Sequence, residues 1–243
     1  MNGTLYVVGV GPGDPELMTL KAMRLLERCG VWFAPAGSPD GESVALNIAG
    51  AVVARTGKEV ITHYFPMKKI HRGKTPDQEV QKAWDEACAL ILARLRAGRD
   101  VVFPTLGDPA IYSTGFYICE TLLAAEPRLA VEIIPGVSSI GASAAAAGQP
   151  LCLGDDRLVV LPATFENGEL RQTLEKFDSV VLMKVHRVMD RIVPLLDEMK
   201  LLDRAVLVER SSQQGQRISR DLYGAMKEKQ HYFSTIIVRK NGR

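Results

Sequence analysis

The stretch Thr4-Leu-Tyr-Val-Val-Gly-Val-Gly-Pro-Gly-Asp14 restricts the possible folds of this chain more than any other. Residues 5–10 are apolar throughout, partly β-branched, and stopped by glycine and proline, which predicts a strand buried on both faces. Gly9, Gly11 and Gly13 open backbone angles closed to residues with a Cβ and let a ligand approach the main chain. Pro12 fixes one φ inside the turn, and Asp14 adds a carboxylate at its exit. Thr19 is placed to cap a helix running through Arg28, with Leu20, Met23, Leu25 and Leu26 on its buried side. Strand, glycine turn and helix, in that order, form the ligand crevice of an open parallel sheet.

Two common ligands fail on the residues. A dinucleotide fingerprint needs glycine where Asp14 stands, and an acidic residue closing the next strand, which here ends in Pro35. A phosphate loop needs Gly-Lys-Ser/Thr, which does not follow, and an anionic Asp14 would repel a phosphate. A tight turn with no ligand remains open on the glycines alone.

Strand and helix signals alternate through the first part of the chain. Strands are expected at 31–34, 59–64, 100–105 and 131–134. Helices are expected at 43–53, 77–97 (stopped by Gly98), 114–125 and 138–147, the last capped by Ser138. This pattern predicts α/β architecture with a mostly parallel sheet. The polar stretch 149–157 is the expected boundary, giving domains 1–150 and 151–243. In the second, strands are expected at 158–161, 179–185, 205–211 and 234–239, with helices at about 169–175 and 188–199. A length of 243 residues accommodates two such domains.

Composition excludes several classes. A net charge of +2 is too small to argue for nucleic acid, so any basic function is local. No run approaches the ~20 apolar residues that span a bilayer, and the N-terminus has no signal-peptide pattern. Cys29, Cys88, Cys119 and Cys152 are widely spaced, which suits core fillers in a reducing cytosol better than disulfides or metal ligands. His63, His71, His186 and His231 form no metal-ligand spacing, so no metal is expected.

Three strands of the first half end in small, tightly turning loops, at 9–14, 107–109 and 135–139. In a parallel sheet these ends share the carboxyl edge, where such folds bind ligands. Leu106, Gly107 and Asp108 offer main-chain groups, and the Asp108 carboxylate suits an ammonium, although an Asp-Pro turn without a ligand reads the same way.

Val8-Gly-Val-Gly-Pro-Gly-Asp-Pro-Glu-Leu-Met-Thr-Leu-Lys-Ala22, with Gly107-Asp-Pro and Pro135-Gly-Val-Ser-Ser139, resembles the tetrapyrrole methylases over essentially the whole chain. The first stretch and Gly107-Asp-Pro-Ala-Ile-Tyr-Ser-Thr114 look most like members that methylate C20 of precorrin-2 or of cobalt-factor II. Another ring position, as in uroporphyrinogen III or a later precorrin, and a non-catalytic S-adenosylmethionine-binding protein are the alternatives.

The resemblance implies two α/β domains with S-adenosyl-L-methionine in the cleft between them, in a cytoplasmic homodimer without nucleic-acid or membrane partners. Carried over by position, its contacts are Pro12, Leu106, Gly107, Asp108, Ile111, Ser138 and Ser139, then Met183 and residues near Glu209–Ser212 and Ser234–Thr235, among them Ser212 and Thr235. Glu209-Arg-Ser-Ser212 departs from the Glu-Asn-Gly-Thr-like stretch common in relatives. A sulfonium methyl is already activated, so alignment with a carbon nucleophile does most of the catalysis.

The tetrapyrrole substrate is rich in carboxylates. Lys68, Lys69, His71, Arg72 and Lys74, following Tyr64, Phe65, Pro66 and Met67, suit a substrate-gripping lid, and a solvated loop suits them too. Gly11, Gly13 and Tyr112 are further expected substrate contacts, with Arg187 and Arg191 as additional carboxylate partners. Asp14 is the expected base or orienting group for the proton that leaves C20.

Overall fold

Leu5–Gly9 (β1) is buried along its whole length and has a parallel neighbour on each side, as its unbroken apolar run predicts. The structure is a computed structural model describing residues 2–38, 41–66, 68, 75–163 and 167–241. It divides into two units, Met1–Ser138 and Ser139–Arg243.

The first unit adds β2 (Val31–Ala36), β3 (Glu59–Tyr64), β4 (Val101–Thr105) and β5 (Val131–Ile134), in the order β3-β2-β4-β1-β5 and all parallel. One face packs Tyr6, Val8, Trp32 and Val102 against α1 (Leu20–Arg28) and α2 (Val44–Val52) through Leu26, Leu46 and Ala49. The other packs Leu5, Val7, Phe33 and Phe103 against α3 (Gln78–Arg96) and α4 (Thr114–Ala125) through Ile91, Leu95, Ile118 and Leu122. Each of the larger fully buried side chains contributes about 1.5–3 kcal/mol over exposure. Because α1–α2 and α3–α4 take opposite faces, the crevice falls at the carboxyl ends of β1 and β4.

Local chemistry explains the element ends. Thr19 accepts from Ala22 N, Ser43 from Leu46 N and Asp77 from Glu79 N, so each caps its helix. Gly98 takes φ +74° after α3, where Arg99 N donates to Arg94 O. β2 runs two residues beyond its expected end, through Pro35. The β2–β4 ladder stops at Trp32 and Val102, so the missing N–H of Pro35 leaves no bond unmade on that side. Leu20, expected on the buried side of α1, is 66% exposed. Cys152 is likewise exposed, unlike the three buried cysteines, so it is no core filler.

The second unit opens with α5 (Ser139–Ala146), whose small side chains let it pack on β10 (Ser234–Arg239). The division therefore falls before this helix, whereas the polar stretch expected as a boundary follows it. β6 (Leu158–Pro162), β7 (Ser179–Met183), β8 (Ala205–Glu209) and β9 (Arg217–Ser219) complete a sheet ordered β6-β7-β10-β8-β9, in which only β6 and β7 are parallel. α6 (Asn167–Lys176), α7 (Met189–Glu198) and α8 (Leu222–Met226) cover one face over Leu182, Leu207 and Ile236. β7 and β8 stop two residues short of expectation because Lys184 and Arg210 take φ +61° and +48°. β7, β8 and β10 are buried on both faces, with no polar alternation.

Candidate functional site

The carboxyl ends of β1, β4 and β5 bring the three expected loops into backbone contact. Gly11 N donates to Gly107 O at 3.3 Å, and Gly107 N to Gly11 O at 2.8 Å, an isolated bridge between the first two loops. A Cβ on Gly9 would lie 2.6 Å from Gly107 O and 2.7 Å from Gly136 N, so only glycine permits the three-way approach.

Asp108 fastens this arrangement. One carboxylate oxygen accepts from Ala110 N at 2.8 Å and the other from Gly136 N at 2.9 Å, tying the second loop to the third. Behind it the Thr105 and Ser113 hydroxyls lie 3.0 Å apart, and Ser113 Oγ also caps α4 by accepting from Gly115 N. Sequence reasoning missed this clasp, although Ser113 in front of a helix is an N-cap signal. Between its ends stand Leu106, Ile111 and Tyr112, the last half-exposed at φ +51°. Asp14 Oδ1 accepts from Glu16 N at 2.9 Å, capping the short turn Pro15–Leu17, while Pro12 and Gly13 precede it. Ser138 ends the third loop and Ser139 opens α5.

In the second unit the expected residues gather at one sheet edge. Met183 and Thr235 are register partners of β7 and β10, and Glu209 pairs with Ser234 across β8 and β10. Ser212, at φ +58°, lies in the turn after β8. Lys184, Arg210 and Ser212 hold left-handed backbone without glycine, a strain concentrated at functional edges. The buried Glu209 carboxylate takes two donors from Arg217, at 2.6 and 2.5 Å, and His231 N at 2.7 Å. That network pins the segment entering β10. A shallow cleft of about 410 Å³ beside it is lined by Glu209, Arg210, Arg217, Lys229 and His231, and so includes the start of the expected stretch 209–212 but not Met183, Ser212 or Thr235. Burial, then Arg187, pushes the His186 imidazole down; burial, then Arg210, does the same to His231.

The basic stretch is only partly accounted for. Lys68 Nζ lies 2.8 Å from Asp77 and 2.7 Å from Glu79, while Lys69, His71, Arg72 and Lys74 lie outside the described residues. Arg187 ends the short turn Val185–Arg187 before α7 and is exposed, and Arg191 lies in the first turn of α7 and is half-buried. Among the described residues there is no group of three histidine, cysteine or acidic side chains for a metal ion, and no helix long and apolar enough to cross a membrane.

Residues 4–226 match the family model of tetrapyrrole (corrin/porphyrin) methylases. The chain is 36% identical over 241 residues to the cobalt-precorrin-2 C(20)-methyltransferase of Salmonella typhimurium, covering 99% of this chain and 98% of that protein. It is 34% identical to the precorrin-2 C(20)-methyltransferase of a Sinorhizobium species, over 97% of this chain and 95% of that one. Its fold matches the crystal structure of a uroporphyrin-III C-methyl transferase from Thermus thermophilus complexed with S-adenyl homocysteine. That match has a TM-score of 0.68 and 24% identity, covering 98% and 92% of the two chains.

Proposed function

The chain belongs to the tetrapyrrole methylases, and from that premise we propose that it methylates C20 of precorrin-2 or of cobalt-factor II in cobalamin biosynthesis. The match to two C20-methyltransferases along nearly the whole chain carries this reading. S-adenosyl-L-methionine, when bound, supplies an activated methyl group on a sulfonium.

The residues fit such a donor. Pro12, Leu106, Gly107, Asp108, Ile111, Ser138 and Ser139 hold it from the first unit, mainly with main-chain groups and small side chains. Met183, Ser212 and Thr235 hold it from the second, at an edge where buried hydroxyls lack partners. Asp108 serves this binding by keeping the second and third loops at a fixed distance, so that the main-chain donors and acceptors are preorganised. Gly11, Gly13 and Tyr112 contact the macrocycle, and the basic stretch of Lys68, Lys69 and Arg72 answers its carboxylates, chiefly through Lys69 and Arg72 because Lys68 is already paired with Asp77 and Glu79. An Asp14 carboxylate oxygen takes the proton that leaves C20 as conjugation is restored.

The protein acts on this small molecule as a cytoplasmic homodimer, without nucleic-acid or membrane partners. Exposed Phe116, Tyr117 and Leu123 on α4 support a second copy as a neighbour, and light scattering reads the mass. Incubation with S-adenosyl-L-methionine and each tetrapyrrole, followed by mass spectrometry and NMR, is expected to find one new methyl at C20. A methyl elsewhere on the ring would assign another member of the family's reactions. Binding of the donor without turnover on either ring would leave a non-catalytic binding protein.

A further inference from the structure

β4 alternates its side chains between the two faces of the first sheet, so Thr105 shares with Val101 and Phe103 the face under α3 and α4. It is the polar member of that row, 6% exposed at the carboxyl end of the strand. For packing alone valine would serve, having the same shape and the same strand preference. The threonine hydroxyl lies 3.0 Å from Ser113 Oγ, and the Thr105 carbonyl accepts from Val10 N at 3.0 Å. Thr105 thus joins the end of the second loop to the start of the first.

The residue that this clasp bears on is Tyr112, next to Ser113. Tyr112 stands at φ +51°. A side chain of its bulk is an outlier there, and such a conformation persists only where the surroundings over-determine it. Both neighbours are fixed. Ile111 N donates to Asp108 O at 3.2 Å, while Ser113 Oγ is held by the Thr105 hydroxyl and by Gly115 N at 3.0 Å. The helix start behind Ser113 cannot give way: a Cβ on Gly115 would lie 2.5 Å from Val7 Cγ1, so α4 rests directly on β1. The Tyr112 ring is half exposed, and partial burial pushes its phenol up, which keeps it uncharged beside carboxylates.

We infer that Thr105 is a positioning residue for the tetrapyrrole: through Ser113 it holds Tyr112 in left-handed backbone and so sets where the phenol meets the macrocycle. The inference rests on the proposed function, in which Tyr112 contacts that ring. Asp108 fastens the donor-holding part of the same loop separately, through Ala110 N and Gly136 N. Loss of the clasp is therefore felt by the tetrapyrrole and not by the methyl donor.

The test is steady-state kinetics of the full-length protein on precorrin-2 and on cobalt-factor II, with titration by S-adenosylhomocysteine beside it. Thr105→Val removes the hydroxyl and keeps the shape. It is expected to raise the KM for the tetrapyrrole about fivefold, the effect of one lost hydrogen bond, and to leave the S-adenosylhomocysteine affinity within about twofold of the wild type. Thr105→Ser, which keeps the hydroxyl, should restore the KM. Ser113→Ala, which removes the other half of the clasp, should repeat the rise and decides the matter if the valine variant does not fold. In a Tyr112→Ala background no ring is left to place, so Thr105→Val should add nothing. A wild-type KM in Thr105→Val, with the KM of Tyr112→Ala raised, overturns the inference and leaves the proposed function standing. A rise that persists undiminished in the Tyr112→Ala background overturns it too, as does an equal loss of S-adenosylhomocysteine affinity, since either marks a general loosening of the loop. A wild-type KM in Tyr112→Ala shows that the ring does not touch the macrocycle, and the inference falls together with that contact.

Discussion

The Asp108 carboxylate accepts from the Gly136 amide at 2.9 Å across 28 residues of chain, while its other oxygen accepts from Ala110 N. One side chain thus holds both its own turn and the loop that follows β5. A hydrogen bond to a charged group contributes about 1.5–3 kcal/mol. Asp108→Ala is therefore expected to cost about 2 kcal/mol, a fall of roughly 4–8 °C in Tm. The KM for S-adenosyl-L-methionine should rise at least about tenfold, because loosened loops no longer preorganise their main-chain groups. Asp108→Asn, retaining one acceptor, should recover part of both. Thermal unfolding and donor-saturation kinetics read the two effects.

Gly9 tests the same edge from the backbone. Its hypothetical Cβ meets Gly107 O at 2.6 Å and Gly136 N at 2.7 Å, and neither is a flexible side chain that can yield. Gly9→Ala must push the first loop away from the other two, at a cost of about 1–3 kcal/mol or more, as for overpacking. Titration with S-adenosylhomocysteine is expected to show binding lost or weakened by more than about tenfold, while far-UV circular dichroism retains the α/β spectrum. Unchanged affinity would mean that the three loops need not touch for the donor to bind.

What the residues reveal in advance follows the range of the physics involved. β1 was legible from an unbroken apolar run, and α1, α2 and α3 from the capping residues Thr19, Ser43 and Asp77, because these signals are local. The carboxyl-edge loops were legible because glycine and proline declare their backbone angles. β9 and α8 were not, since Arg217–Ser219 offers one apolar residue and Leu222–Met226 is barely a turn of helix. Nor was the pairing of Glu209 with Arg217, or of Lys68 with Asp77, since charged side chains announce no partner until the fold brings one near. The resemblance had pointed to the stretches that hold Ser211 and Ser234, but not to their hydroxyls' being buried without partners, because serine is ordinary in any sequence and only the fold buries it.

The cysteines separate by burial. Desolvation pushes the Cys88 thiol up to about 12 and Cys119 to about 11, and burial also raises Cys29. Thiolate, the reactive form, is therefore scarce at these three positions at pH 8. Cys152 is exposed. Ellman's reagent at pH 8 is expected to label a single thiol in the native protein, and peptide mapping should find it on Cys152. The other three should react only in denaturant. Rapid native labelling of Cys88 or Cys119 would show that the α3–α4 layer opens far more readily than its packing implies, and of Cys29 that the end of α1 does.

Acid stability should depend on Asp156. Arg239, then Leu153 N and Asn241, hold its carboxyl down to about 2. A group whose folded pKa is depressed stabilises the protein above its unfolded value, near 3.9, and loses that contribution as pH falls through the folded value. The Tm of the wild type is therefore expected to drop between about pH 4 and pH 2. Asp156→Asn, which cannot titrate, should start lower at pH 7 and show a shallower decline over the same interval. Parallel slopes for the two proteins would remove Asp156 from the acid transition.

Lys68 sets the terms for the basic stretch that follows it. Its ammonium lies 2.8 Å from Asp77, which also caps α3, and 2.7 Å from Glu79 in the first helical turn. The hydrogen bonds it donates to Asp77, then to Glu79, raise its pKa, so it stays charged at any working pH. With both acids and the ammonium about half exposed, solvent screens the cluster, and its loss should barely move Tm. An ammonium already answered by two carboxylates has little attraction left for a third. Lys68→Ala alone is therefore expected to leave the KM for the tetrapyrrole near its wild-type value. Adding Lys69→Ala and Arg72→Ala should raise that KM by about tenfold without changing the affinity for S-adenosylhomocysteine, the separation expected of charges that meet only the macrocycle. If the triple variant keeps the wild-type KM, the stretch is solvated surface. If Lys68→Ala alone reproduces the triple variant, then the ammonium leaves Asp77 and Glu79 for the substrate.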